Sequence, residues 1–119
     1  MKDGNCLSVK DKWGKVVVFT EKRRIEKAKK HPELRDLSEN GFVKREIPEA
    51  LLNPDKVLKD LTNRRFKNYY KLVRYVNMRG GRINFYTKVV VCIKWKPFQI
   101  ITAYKCQNIK DEICTYSKN

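Results

Sequence analysis

His31 is the one histidine in the chain, and it stands between Lys29-Lys30 and Pro32. A residue before proline disfavours the α region, and proline suits the first position of a helix. His31 is therefore expected at the N-cap of a helix. A helix N-terminus and neighbouring cations both favour the neutral imidazole. That form can take a proton from a ribose 2′-hydroxyl near neutral pH; the plain alternative is a capping histidine on an exposed loop. Thr102 and Tyr104 lie two apart in a strand-like run, so their side chains share a face. Threonine can hydrogen-bond a phosphate oxygen, and tyrosine can stack a base or hold a reacting oxygen. Both types are also favoured in strands for packing alone. Lys71 alternates with Tyr69 and has no carboxylate nearby in sequence. It could stabilise the extra negative charge of a phosphoryl-transfer transition state, or stand solvated on its strand.

These residues sit in an uneven field of charge. Of the net +15, residues 61–110 contribute +12, with twelve lysines and arginines and no aspartate or glutamate. Residues 1–60 carry 15 basic and 11 acidic side chains. Unpaired like charge destabilises a compact fold, so a polyanionic partner is the natural expectation. Within this block Arg64-Arg65-Phe66-Lys67 and Asn68-Tyr69-Tyr70-Lys71 interleave aromatics with bases, and Arg74 follows on the Tyr70 face. With Lys29 and Lys30, these residues form the candidate RNA-binding set, suited to unpaired strands more than duplex grooves. No zinc-finger spacing, basic zipper or phosphate-cradling glycine loop is legible. Cys6, Cys92, Cys106 and Cys114 include no C-x-x-C pair. Neither a metal site nor a disulfide nor any cofactor is expected.

The elements that must position these groups follow from periodicity. At 119 residues the chain is expected to be one domain, 1–119, with residues 1–14 polar and irregular. Val16–Phe19 is a β-branched strand. Thr20 caps a cationic helix with Ile25 and Ala28 at helical spacing, and Pro32–Glu39 forms a second helix carrying Leu34 and Leu37. Pro48–Leu52 is a helical turn, broken at Asn53-Pro54-Asp55 and resumed as a short helix through Val57, Leu58 and Leu61. Three strands follow, over Tyr69–Asn77, Ile83–Lys94 and Phe98–Cys106, joined by turns at Gly80-Gly81 and Lys96-Pro97. The tail from Asn108 adds a short helix or an edge strand. This order describes an α+β domain, an N-terminal strand and helices packed on one face of an antiparallel sheet. The apolar runs are strand-length, too short to span a bilayer, and the first residues lack the core of a secretory signal. A cytoplasmic site of action, away from membranes, is expected.

In this order His31-Pro32-Glu33-Leu34, Asn68-Tyr69-Tyr70-Lys71, Val89-Val90-Val91 and Ile100-Ile101-Thr102-Ala103-Tyr104 resemble the phage- and toxin-associated branch of the barnase–EndoU–colicin–RelE-like nuclease superfamily. The resemblance runs over Lys15 to Lys105. It implies helices on a twisted antiparallel sheet and metal-independent RNA cleavage by attack of the 2′-oxygen on the adjacent phosphate. His31 matches the motif histidine, the acid/base group. Thr102 and Tyr104 match the last-strand pair, and Lys71 the basic position of the Tyr-Tyr-Lys strand. Lys29 and Lys30 stand where the family often has an arginine. A toxin of this kind would have RNA as substrate and an acidic inhibitor or immunity protein as partner. The alternative is a non-catalytic RNA-binding module using the same basic sheet; a purely structural protein packed on an acidic partner is a third reading.

Overall fold

A computed structural model of the chain describes residues 4–60, 62–76, 79–107 and 113–117; of 74–76, 82–83 and 113–115 it describes the backbone alone. Residues 5–10, expected to be irregular, form a strand. Strand β1, Asn5–Lys10, pairs antiparallel with β2, Val16–Thr20. The turn between them is built on Asp11, whose Oδ1 accepts the N–H groups of Trp13 and Lys15, both at 2.9 Å. Gly14 supplies the left-handed residue of that turn at φ 81°. Leu7 and Val9 alternate with Ser8 and Lys10, a strand pattern masked by the polar residues around it.

Thr20 caps α1, Glu21–Ala28, its Oγ1 accepting the Arg23 N–H at 3.2 Å. The buried stripe of α1 is Arg24 and Ala28, and Ile25 is 54% exposed. Arg24 can be buried because its guanidinium bonds Glu21 and the Leu34 carbonyl. The expected helix from Pro32 stops as a 3₁₀ turn, Pro32–Arg35: Leu34 is buried but Leu37 is exposed. There the Asp36 carboxylate turns back onto the backbone and hydroxyl of Ser38, which competes with helix continuation. A β-carbon on Gly41 would meet the Asp36 carboxylate and the Ser38 hydroxyl, so a larger residue here must displace that hydrogen-bonded pair. A π-helical turn, Phe42–Glu46, then leads into α2, Ile47–Leu52.

The predicted helix after Asn53-Pro54-Asp55 is a strand, β3, Lys56–Lys59. Val57 and Leu58 are both buried, one on each face of the sheet. A strand buried on both faces shows no alternation and is easily read as helix. The meander β4 (Phe66–Val76), β5 (Arg82–Cys92) and β6 (Phe98–Cys106) forms as expected, with Gly80 at φ 76° in its first turn. The tail forms β7, Ile113–Ser117, antiparallel to β3. The seven strands run in the order β1-β2-β6-β5-β4-β3-β7. One pair, β2 with β6, is parallel and short, registered at Val17↔Phe98 and Val18↔Gln99.

All the helical segments cover one face. There Leu34, Phe42, Ile47 and Leu51 pack on Val57, Tyr69, Val89 and Ala103. The Tyr69 hydroxyl donates to Asp11 Oδ2 at 2.7 Å, linking the sheet centre to the first turn. Burial and this contact push the Tyr69 phenol well above its ordinary range. β6 carries a bulge opposite Val90 and Val91: Ile100 pairs with Val91 and Thr102 with Val90. One extra residue puts both Ile100 and Ala103 on the core face, although they are three apart. No helix among the described residues is long and apolar enough to cross a membrane.

Candidate active site

The face of the sheet without helices carries a row of polar side chains across three strands. Register places Tyr70 of β4 beside Lys88 of β5, and Lys88 beside Tyr104 of β6. Past Tyr104 lies His31, whose ring stacks on that of Tyr104 with centroids 4.3 Å apart and planes 12° from parallel. The row is thus Tyr70, Lys88, Tyr104, His31.

His31 reaches this position because of how α1 ends. The Lys30 and His31 N–H groups both donate to the Lys27 carbonyl, at 3.1 and 2.9 Å, and the Leu34 N–H donates to His31 O. β2 pairs with β6 only at Phe98 and Gln99, so α1 and the 3₁₀ turn run beside the rest of that edge. The Lys105 N–H donates to Glu33 Oε2 at 3.1 Å, which holds the His31–Glu33 segment against β6. His31 occupies the cap position of the 3₁₀ turn but makes no side-chain cap bond; its ring is taken up by the stack. Partial burial lowers the His31 pKa below its ordinary 6.5; Glu33 opposes this and Lys30 and Lys27 reinforce it. The neutral form expected from sequence is therefore favoured, chiefly through burial against Tyr104 and not through a helix terminus.

Lys88 is 7% exposed, and its Nζ lies 5.4 Å from the Tyr70 ring centre and 5.6 Å from that of Tyr104. Burial disfavours its charge, but hydrogen bonds to the two phenols and their electrostatic attraction outweigh that, so its pKa is held above the ordinary value. It is charged at neutral pH. Tyr70 is fully buried and meets Tyr86 edge-on at 6.1 Å, which fixes the far end of the row. An ammonium, a partly exposed phenol and a neutral imidazole are thus held side by side. That set can accept one proton, donate another and stabilise a dianionic centre between them.

The structure brings together His31, Tyr104 and, in part, Thr102. Thr102 is on the same face, but its Oγ1 is buried and has no hydrogen-bond partner, so it offers no oxygen at the surface. Lys71 is not in the group. It follows Tyr69 by two residues on the helix-covered face, pairs across to Thr87, and its Nζ stands 4.0 Å from Asp55 Oδ2. Asp55 also accepts the Leu72 N–H at 2.6 Å. The carboxylate absent from the sequence neighbourhood of Lys71 is supplied by chain folding, as it is for Lys105, 3.8 Å from Glu46. Lys71 lines a cavity of about 300 Å³ with Arg45, Glu46, Glu49 and Thr87.

Among the residues expected to bind RNA, Lys29 and Lys30 are exposed at the end of α1, next to His31, and Arg64 and Arg65 are exposed in the β3–β4 turn. Lys67 is half-buried on the helix face, beside Asp11 and Trp13. Tyr69 and Tyr70 are 0% exposed and cannot stack on a base; the aromatics interleaved with bases belong to a stretch of β4 that is buried on both faces. The side chain of Arg74 lies outside the described residues. Comparison of the chain with family models, with curated proteins and with solved structures gives no match.

Lys88 was not singled out by sequence. A signal existed in Tyr86-Thr87-Lys88-Val89-Val90-Val91-Cys92, where Lys88 is the one charge in that run of seven residues. Such a lysine is seldom buried without a specific partner. Among the described residues no three or more His, Cys, Asp and Glu side chains are grouped so as to hold a metal ion.

Proposed function

We propose that this chain is a metal-independent endoribonuclease, and that the row His31–Tyr104–Lys88 carries its chemistry. The observation behind this reading is the 4.3 Å stack of His31 on Tyr104, with the Lys88 ammonium on the far side of the phenol. In the proposed reaction His31 takes the proton of a ribose 2′-hydroxyl, and the 2′-oxygen forms a bond to the adjacent phosphorus. The extra charge develops on the phosphate oxygens facing Lys88 and Tyr104. Because Lys88 donates to the Tyr104 oxygen, the phenol keeps its own proton for a substrate oxygen. The bond to the 5′-oxygen then breaks, and that oxygen takes a proton from the imidazolium, or from Tyr104, whose phenolate the imidazolium then reprotonates. The products are a 2′,3′-cyclic phosphate and a 5′-hydroxyl, so atoms and protons balance without a water or a metal ion.

The +12 charge of residues 61–110 supports a polyanionic substrate. In this reading the chain acts as a toxin or phage-associated effector on cytoplasmic RNA, and an acidic inhibitor protein would be drawn to the same field. The test is a digest of total RNA in excess EDTA, wild type against His31→Ala, with the new ends mapped. Discrete 2′,3′-cyclic phosphate ends with the wild type alone are expected. Cleavage that survives His31→Ala sinks the assignment of the base. Tight RNA binding with no cleavage by either protein favours the non-catalytic module.

A further inference from the structure

Base stacking was expected of Tyr69 and Tyr70, but both are 0% exposed. The exposed aromatic surface lies elsewhere. Trp13, Val16 and Trp95 are 48%, 42% and 48% exposed, and they gather at one end of the sheet, at the β1–β2 and β5–β6 turns. Between these turns is a cleft of about 430 Å³ lined by Gly14, Lys15, Val16, Lys96, Pro97 and Phe98. The short parallel pairing of Val17 with Phe98 closes its floor. Its two charged lining residues are Lys15 and Lys96, and Lys94 Nζ stands 6.0 Å from the Trp95 ring centre. No carboxylate among the described residues lines it. Asp11, the one acid of the β1–β2 turn, is 3% exposed and bonded to Tyr69, Trp13 and Lys15. The exposed Arg64-Arg65 turn abuts the same end, through the Ile93 N–H donating to the Arg65 carbonyl at 2.8 Å.

The two tryptophans are not equivalent. Trp13 rests against Tyr69 and Tyr116, at 6.4 and 5.4 Å between ring centres, so its ring is held in place by neighbouring aromatics. Trp95 touches only the lysine beside it among the ring contacts of the described residues. We infer that this cleft, together with the exposed Trp95 that precedes its lining residue Lys96 in the chain, seats an unpaired base of a single-stranded RNA while Lys15, Lys94 and Lys96 hold the flanking phosphates. The inference rests on RNA being the ligand. Concavity favours a planar group inserted into the cleft over a flat lipid surface, and a wholly cationic rim favours a polyanion over a neutral protein face. Phe98 and Tyr104 are six residues apart on β6 with the bulge between them, roughly 17 Å at about 3.3 Å per strand position. A strand several nucleotides long is therefore needed to occupy the cleft and the His31 row together.

The experiment measures binding apart from cleavage. Fluorescence anisotropy of a labelled ten-nucleotide oligouridylate is followed with His31→Ala protein, with and without Trp95→Ala, Trp95→Phe or the pair Lys15→Gln and Lys96→Gln. Trp95→Ala should weaken binding about tenfold and Trp95→Phe much less. The lysine pair should weaken binding and flatten its dependence on salt. Unchanged affinity in Trp95→Ala overturns the inference, and if total RNA is still cleaved the ribonuclease reading stands. Trp95-dependent binding by a chain that cleaves nothing would leave the cleft assigned and the ribonuclease reading wrong. Partition onto phosphatidylglycerol vesicles that needs Trp95, without oligonucleotide binding, overturns the inference in favour of a membrane surface.

Discussion

Replacing Lys88 by methionine separates charge from packing, because the two side chains are both unbranched and of similar length. In the folded protein the ammonium is nearly enclosed and bonds Tyr70 and Tyr104. Losing two bonds from a charged donor costs about 1.5–3 kcal/mol each. Against that stands the removal of a buried charge, whose desolvation penalty is several kcal/mol, and apolar replacements of buried ions are often neutral. Tyr104 is half-buried, so water can satisfy its freed oxygen, whereas Tyr70 is fully buried and its freed oxygen costs about 1–3 kcal/mol. Urea unfolding followed by tryptophan fluorescence should therefore show a loss of about 1–3 kcal/mol with the fold retained. Cleavage should not survive so well. Loss of one preorganised charge-stabilising donor costs about 10²- to 10³-fold in kcat, or roughly 3–4 kcal/mol of barrier. Initial rates on a fluorogenic oligoribonucleotide should therefore fall by that factor with KM little changed. A variant that cleaves within threefold of wild type would refute the role given to Lys88. A loss of stability above about 3 kcal/mol would show the row to be structural, since breaking a buried pairing costs that much.

The remaining expectations concern the other members of the site and its corrected neighbour. Because the folded pKa of His31 lies below the unfolded value of 6.5, the unfolded chain protonates first on acidification; His31 thus withdraws stability as pH falls from about 6.5. His31→Gln should make melting temperature fall less steeply between pH 7 and 5, and in the wild type kcat/KM should drop on the acid side of the same range. Tyr104→Phe keeps the stack and should lower kcat at unchanged pH profile, whereas Tyr104→Ala removes the ring that buries His31 and should move the acid limb up toward 6.5. Lys71→Met, on the opposite face, should leave cleavage within threefold of wild type, and a hundredfold loss would restore the assignment made from sequence. Tyr69→Phe leaves Asp11 Oδ2 without its buried donor and should cost about 1–3 kcal/mol in urea unfolding at unchanged cleavage.

The class of fold was legible because β4 and β6 alternate over much of their length and β5 is an apolar run of strand length between turn residues. Legibility failed where burial or a short-range contact removed the period. β3 is apolar on both faces and was taken for helix, and β1 hides two apolar residues in a polar segment. The helix from Pro32 ends early because Asp36 captures Ser38, a choice no hydrophobic pattern records. At the site, His31 and Tyr104 were legible by residue type, but their contact depends on an open strand edge and on Glu33. Lys71 and Lys88 show the limit most clearly. Both are strand lysines flanked by aromatic or apolar residues, and what separates them is which face each occupies. That follows from register across three strands, which the residues of a single strand do not encode.

The bulge in β6 gives that strand two reading frames. Ahead of it, Phe98 and Ile100 are in phase with the core and with β2; behind it, Thr102 and Tyr104 are in phase with the open face. Deleting Ile101 would merge the frames, and either Ile100 would leave the core or Tyr104 would turn into it. A single-residue deletion here should thus be tolerated far less than a substitution at the same place, as Ile101 itself contributes spacing more than contact. Substitution scanning alone would overlook this position, whereas a scan of one-residue deletions along β6 would find it.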